Sequence, residues 1–352
     1  MMPEASDKAG EFKEPADRSG QPLEDDLWVL PGPIKDAPDD EPPGPRAGAS
    51  EAGILTDWRE AEAGLAAALA RVAGRLGALD DRLGRGPDGW HHRLALLEAA
   101  DLSWISGDRI PPDRLALWIS LRLSGVQDDT AALSRAGWAV RRLTGGPGPE
   151  AGLATFLGRH DPETLDPEAD RLADRAGSWT DLMAEAQDLH PITRACMGFH
   201  LWRLAGLGQL DDQMEAAVTA ARIAASDGVG AVFAPLAMGG AGALRANGSV
   251  AARLARWLDG MSSATLTAMR HLDEIEAWSV RAQTAMVKRS GRTPPALRAL
   301  LTEWPLISAP LAEAATGASR AAIQRNLTWM QQIGLIREIT GHKRFQMWTA
   351  KT

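Results

Sequence analysis

The sequence predicts a mostly α-helical protein that ends in a small helical module with a β-hairpin. Apolar residues recur at spacings of three and four along most of the chain, the pattern of helices with one buried face. The clearest run is Leu65, Leu69, Val72, Leu76, Leu79 and Leu83. Alternation of apolar and polar residues, which is typical of β-strands, occurs only near the C-terminus, between residues 335 and 349.

By composition the chain divides into three parts. Its 352 residues are enough for two or three domains. Residues 1–50 contain nine prolines and twelve acidic residues around one apolar island, Leu27-Trp28-Val29-Leu30. Because such a segment buries too little apolar surface to offset its ordering entropy, we expect a disordered acidic tail. Residues 51–290 are the predicted helical body, and residues 291–352 are the predicted C-terminal module.

Helices are expected throughout the body. The pattern changes at Ile54, and the stripe from Leu65 to Leu83 should lie on one long helix that stops at Gly84-Arg85-Gly86-Pro87, followed by helices at about 90–105, 112–123 and 129–143. Three or four further helices are expected between residues 150 and 227. After a Gly/Ala-rich interval at 228–248, the pattern predicts a last pair of helices at about 249–258 and 262–289.

The sequence does not contain the patterns expected for a disulfide, a metal site or a phosphate-binding loop. The single cysteine, Cys196, excludes an intramolecular disulfide and a thiolate metal cage. The histidines are scattered, and Gly239-Gly240-Ala241-Gly242 has neither the strand before it nor the Lys-Ser/Thr after it that a phosphate loop needs. We therefore expect no metal site and no cofactor. Without a signal-peptide pattern or an apolar run of 18 residues, we expect a soluble, cytoplasmic protein.

The C-terminal module has the element order of a winged helix-turn-helix. A first helix opens at Pro294-Pro295, Trp304-Pro305-Leu306-Ile307 is a short extended link, and a second helix follows at about 309–315. Ser319 is a suitable N-cap for a third helix at 320–333, which Gly334 ends. Residues 335–340 and 345–349 then alternate as strands on either side of Gly341-His342-Lys343-Arg344, a hairpin with a basic tip.

The third helix predicts an interface with double-stranded DNA. Its apolar residues Ile323, Leu327 and Met330 should face the module, as in helices that enter the major groove. After the cap Ser319, four polar residues should face outward, and we call them the recognition face: Arg320, Gln324, Arg325 and Thr328. Arginine reads guanine and glutamine reads adenine through two hydrogen bonds each. The wing tip, defined as His342, Lys343 and Arg344, should contact phosphates or the minor groove.

The distribution of charge along the sequence also favours DNA as the partner. The module carries eight Lys/Arg against three Asp/Glu, a net charge of +5. Because the net charge of the whole chain is −8, the other 290 residues together carry −13. A basic surface attracts polyanions. A winged helix used only for protein contacts is the alternative, but it would not need three consecutive basic side chains in the wing. We expect DNA as the partner, a homodimer on two half-sites, and a small-molecule or protein effector on the body.

Both parts of the chain resemble bacterial Fic proteins. The module is similar to the winged helix that closes many of them, at Ser319, Ala322, Arg325, Leu327, Gly334, Leu335, Ile336, Gly341, Lys343 and Arg344. In the body, the stretch from Glu98 to Gly107 has the register of the family's E-A-x-x-S-S-x-I-E-G, and the stretch from Leu254 to Met261 resembles its W-I-x-F-F-L-x-G-V segment. The resemblance covers most of residues 54–352 and implies a Fic-like helical domain joined to a DNA-binding domain.

The family's catalytic loop, H-P-F-x-D/E-G-N-G-R, is degenerate here. The corresponding residues are His190-Pro191-Ile192-Thr193-Arg194-Ala195-Cys196-Met197-Gly198, without the acidic metal ligand, the glycine-rich anion nest or the arginine. The inhibitory glutamate is replaced by Ser106. The resemblance therefore implies a scaffold that is not an enzyme. Two alternatives stay open: a divergent nucleotidyl or phosphocholine transferase that uses His190, and a component of a plasmid-maintenance or toxin–antitoxin system.

Overall fold

The computed structural model describes residues 51–121, 129–158, 167–208, 213–341 and 345–352, with the side chains of 51–52 and 167–173 excepted. The predicted acidic tail, including Leu27-Trp28-Val29-Leu30, lies outside the described residues. In the described ranges the chain is mostly helical, with one small antiparallel sheet near the C-terminus, which confirms the prediction of a mostly α-helical protein with a C-terminal β-element. None of the described helices combines the length and apolar character needed to cross a membrane.

Ten helices form the body within the described residues. They are α1 (Glu51–Gly64), α2 (Ala66–Arg85), α3 (Gly89–Ile105), α4 (Pro112–Leu121), α5 (Thr130–Thr144), α6 (Leu153–Leu157), α7 (Pro167–Glu185), α8 (Pro191–Leu204), α9 (Met214–Ala224) and α10 (Val250–Met286). The apolar stripe predicted on the first helix is confirmed on α2, where Leu69, Val72, Leu76, Leu79 and Leu83 are buried. A separate helix, α1, precedes α2 and ends at Gly64.

The prediction of two helices at 249–258 and 262–289 is wrong, because α10 is continuous over 37 residues. The sequence suggested a break at Asp259-Gly260, since a glycine inside a helix costs about 1 kcal/mol relative to alanine. In the structure the glycine allows a close approach: a Cβ added at Gly260 would lie 2.5 Å from the Cβ of Ala243. Gly260 therefore marks a packing contact with the segment that precedes α10.

That preceding Gly/Ala-rich segment is held by two carboxylates from the body. Asp80 of α2 accepts hydrogen bonds from the N–H groups of Gly230 at 3.0 Å and Ala231 at 2.7 Å. Glu98 of α3 is buried and accepts three more N–H groups, those of the consecutive residues 236, 237 and 238, at 3.0, 2.7 and 3.2 Å. Burial raises the pKa of Glu98 to about 7, while the three hydrogen bonds oppose that rise.

The C-terminal module contains three helices and three short strands. In chain order they are α11 (Thr293–Glu303), β1 (Ile307–Ser308), α12 (Ala309–Thr316), α13 (Arg320–Gln332), β2 (Ile336–Glu338) and β3 (Met347–Ala350). The sheet order is β1-β3-β2, and both pairings are antiparallel. Ile336 pairs with Ala350, and Ile307 pairs with Trp348. The hairpin strands are shorter than predicted, and the predicted extended link supplies a third strand.

The module packs closely against the body. Arg93 of α3 donates hydrogen bonds from Nε to the carbonyls of Thr302 and Glu303, both at 3.1 Å, so it caps the end of α11. Burial lowers the pKa of this arginine to about 10. The indole N–H of Trp278 on α10 donates to the carbonyl of Leu335 at 2.7 Å, directly before β2. The end of α11 and the residue that precedes β2 are thus fixed to the body.

Candidate nucleic-acid interface

The helix α13 begins at a tight turn that local side chains define. Gly317, which ends α12, has a φ of +65°, in the left-handed region that glycine adopts without strain. Ser319 has an extended backbone, and its hydroxyl accepts a hydrogen bond from the N–H of Ala322 at 3.4 Å. The predicted N-cap is therefore confirmed, and so is the turn between the two helices. At the other end, Gly334 has a φ of +75°, as its predicted role requires.

Replacing Ser319 with alanine should lower the free energy of unfolding by about 1 kcal/mol, because the cap satisfies an otherwise unpaired N–H of the first turn. Urea denaturation of the full chain measures this change. Ser178→Ala is the matched control, since its hydroxyl bonds only to a carbonyl inside α7 and alanine favours helix. Equal losses in the two variants would contradict the capping role.

The two faces of α13 are arranged as predicted. Ile323, Leu327 and Met330 are fully buried against the module. The whole recognition face is exposed, as is Ser319 before it. Four polar side chains with hydrogen-bonding ends therefore lie in solvent along a single side of α13. This arrangement can present two arginines, an amide and a hydroxyl to an external surface at once.

The positive charges on this face are largely uncompensated. The Nε atom of Arg320 is 3.7 Å from a carboxylate oxygen of Glu313, a contact at the long end of an ion pair. Arg325 forms no ion pair with any residue that the structure describes, and its side chain is exposed. An exposed, unpaired guanidinium is available to an external anion without first breaking an internal contact.

The hairpin continues from the sheet toward the predicted wing tip. The carboxylate of Glu338, at the end of β2, accepts hydrogen bonds from the N–H groups of Thr340 at 2.8 Å and Gly341 at 3.1 Å. These bonds fix Thr340 and Gly341 beside the end of β2. The residues of the predicted wing tip, His342, Lys343 and Arg344, lie outside the described residues. Phe345, which follows them in the chain, is exposed and has a φ of +57°, an uncommon conformation for a residue with a Cβ.

Sequence reasoning missed one further cation beside α13. The guanidinium carbon of Arg289, just after α10, lies 4.3 Å from the centre of the Trp329 ring on α13. This is the geometry of a cation–π contact. The only signal in the sequence was that Trp329 falls at the boundary between the buried and exposed faces of the helix. The contact joins the last residues before the module to α13 and adds a positive charge there.

His190, the residue of the alternative enzyme hypothesis, is the N-cap of α8. Its Nδ1 atom accepts a hydrogen bond from the N–H of Ile192 at 3.1 Å, and its own backbone N–H donates to Glu62 at 3.0 Å. The residues that follow, from Pro191 to Trp202, are buried in the helix. The positions that the resemblance compares with a catalytic loop are therefore a core helix in this chain.

No protein-family model matches the chain, and no curated protein matches it significantly. The resemblance to Fic proteins and the activity of His190 accordingly stay hypotheses.

Proposed function

We propose that this chain is a DNA-binding protein, a transcriptional regulator whose residues 291–352 form a winged helix-turn-helix. The observation that carries the proposal is the exposed recognition face of α13, with its opposite face fully buried. An α-helix fits the major groove, where arginine and glutamine distinguish base pairs by paired hydrogen bonds. The element order of the module, helix-strand-helix-helix-strand-strand, supports the same assignment.

The proposed mode of binding assigns different tasks to α13 and to the hairpin. The recognition face enters the major groove and reads base edges, while the wing tip contacts the phosphate backbone and adds salt-dependent affinity. The net charge of +5 in the module favours a polyanion as its partner. A homodimer that contacts two half-sites would bind DNA with higher affinity than a single recognition helix.

Selection of binding sequences from a random duplex library, using the full chain, tests the proposal. A regulator with base-specific contacts is expected to enrich a short motif, repeated as two half-sites if the protein is a dimer. The Arg325→Ala variant should enrich a degenerate version of that motif. Recovery of unselected sequence from both proteins would show that the recognition face does not read bases.

Lys343→Ala should weaken binding to all sequences and make the salt dependence of the affinity shallower, by about one unit of the log–log slope. The reason is that a phosphate contact releases a counterion but carries no sequence information. Fluorescence anisotropy of a labelled duplex at several salt concentrations measures the slope. The matched control is Arg71→Ala, which removes an exposed positive charge from α2 of the body. A slope unchanged from the wild type would contradict a phosphate contact by Lys343.

A further inference from the structure

Two arginines near the start of α10 have no acidic partner among the residues that the structure describes. Arg256 donates hydrogen bonds only to backbone carbonyls, those of Arg245 at 3.4 Å and of Asn247. The side chain of Arg253 has no hydrogen bond or ion pair with any residue that the structure describes, although it is only partly exposed. Desolvation and the neighbouring charge of Arg256 lower the pKa of Arg253. A partly buried, unpaired guanidinium beside a second one is costly unless an anion accompanies it.

Helix α8 packs against this part of α10 and brings further polar groups. Cys196 and His200 are buried one turn apart on α8, and both lie within electrostatic reach of Arg253 and Arg256. Burial, followed by these two charges, lowers the pKa of His200 to about 3, so the imidazole is neutral at physiological pH. A neutral imidazole still keeps one N–H to donate.

Several hydrogen-bonding atoms in this cluster have no partner. The Nε atoms of Arg253 and Arg256, the indole Nε1 of Trp257 and the Nε2 of His200 are all shielded from solvent and unpaired. Trp257 is fully buried and His200 is 8% exposed, so neither ring is in contact with bulk solvent. Unpaired buried donors are rare in native proteins, and each costs about 1–3 kcal/mol. The Nε atoms of the two arginines and the indole nitrogen of Trp257 can only donate hydrogen bonds, so the partner that they lack is an acceptor.

An open cavity in the described body, lined in part by the loop that follows α5 and by α9, differs in this respect. It has a volume of about 390 Å³, and its arginine, Arg222, donates to the backbone carbonyls of Gly145 at 3.0 Å and Gly146 at 2.8 Å. The charge of Arg222 is therefore already surrounded by acceptors. The cluster between α8 and α10 combines positive charge with unmet donors, whereas the cavity does not.

We propose that this cluster binds a small oxyanion, the carboxylate or phosphate group of a metabolite. In the proposed complex Arg253 and Arg256 pair with the anion, and the N–H groups of Trp257 and His200 donate to its oxygens. Trp58 of α1, whose ring centre is 6.3 Å from that of His200, forms an aromatic wall beside the site. The site lies in the body and does not depend on DNA binding.

Thermal unfolding and isothermal titration of the full chain test this site, with inorganic phosphate and succinate as probes. Tris chloride is the buffer, because sulfonate buffers are themselves oxyanions, and ionic strength is held constant with sodium chloride. At ten times its dissociation constant, a bound anion should raise Tm by about 3 °C. Stabilisation by phosphate alone indicates a phosphorylated ligand, and stabilisation by succinate alone indicates a carboxylate. Absence of stabilisation by either would overturn the proposal.

Arg253→Gln should weaken binding of the effective anion at least about tenfold, while Arg71→Gln should leave it unchanged. Without anion, Arg253→Gln should keep or raise Tm, because it removes an unpaired charge beside Arg256. If Arg253 had only a structural role, its replacement would instead lower Tm. The anion should stabilise Arg325→Glu as strongly as the wild type, which separates this site from the recognition face. Unchanged affinity in Arg253→Gln, or loss of stabilisation in Arg325→Glu, would contradict the proposed location.

Discussion

Replacing Arg325 with glutamate is expected to reduce the affinity of the full chain for duplex DNA by about 100-fold. The wild-type guanidinium is exposed and has no internal ion pair among the described residues, so in the proposed complex the substitution removes a base contact and places a negative charge beside phosphates. Because the side chain makes no such internal contact, the free energy of unfolding should change by less than about 0.5 kcal/mol. Anisotropy titration with a labelled duplex, accompanied by urea denaturation, measures both quantities.

The matched control for this variant is Arg71→Glu, which makes the same change of charge on an exposed arginine of α2. If DNA responded only to the net charge of the chain, the two variants would lose affinity equally. A loss confined to Arg325→Glu locates the interface on α13. Equal losses, or wild-type affinity in Arg325→Glu, would contradict the assignment of the recognition face.

Replacing Glu98 with alanine should lower the free energy of unfolding by about 3–6 kcal/mol, the largest stability effect that we expect from a single substitution. The carboxylate accepts three consecutive buried N–H groups, from residues 236 to 238, and alanine leaves all three without an acceptor. Urea denaturation measures the loss. Glu60→Ala is the control, because Glu60 is exposed on α1 and should tolerate the change within about 0.5 kcal/mol. A similar small loss in both variants would contradict the anchoring role of Glu98.

The same carboxylate makes stability depend on pH. Its pKa is raised from an ordinary 4.5 to about 7 in the folded chain, so the folded state binds the proton more tightly than the unfolded state. Its contribution to the free energy of unfolding is therefore complete below pH 4.5 and is lost as pH rises toward 7, by a total on the order of 3 kcal/mol. Glutamine cannot ionise, so in Glu98→Gln the free energy of unfolding should not show this decrease as pH rises. Urea denaturation of the wild type and of Glu98→Gln at pH 5 and pH 8 measures the difference.

Local signals in the sequence predicted the limits of α13 and its exposed side correctly. The cap at Ser319 and the glycines that end α12 and α13 act within a few residues, so the turn and the limits of the recognition helix follow from sequence alone. The spacing of Ile323, Leu327 and Met330 likewise determines which side of α13 is exposed. Each of these features depends on neighbours along the chain rather than on distant partners.

Contacts between distant segments were not predictable in the same way. The continuity of α10 through Gly260 depends on its packing against Ala243, which no helix propensity encodes. The role of Glu98 depends on N–H groups about 140 residues further along the chain. The strand β1 forms because β3 returns beside it, so its residues read only as an extended link in the sequence. The cluster between α8 and α10 was missed for the same reason.

The central claim is that the exposed face of α13 and the hairpin beside it bind duplex DNA. The most direct test is an anisotropy titration of a labelled random duplex with the wild-type full chain, from about 50 to 300 mM salt. We predict binding in the micromolar range at low salt, with an affinity that falls linearly on a log–log plot as salt increases. No binding at 50 mM salt, by protein whose circular dichroism shows the helical fold intact, would contradict the claim.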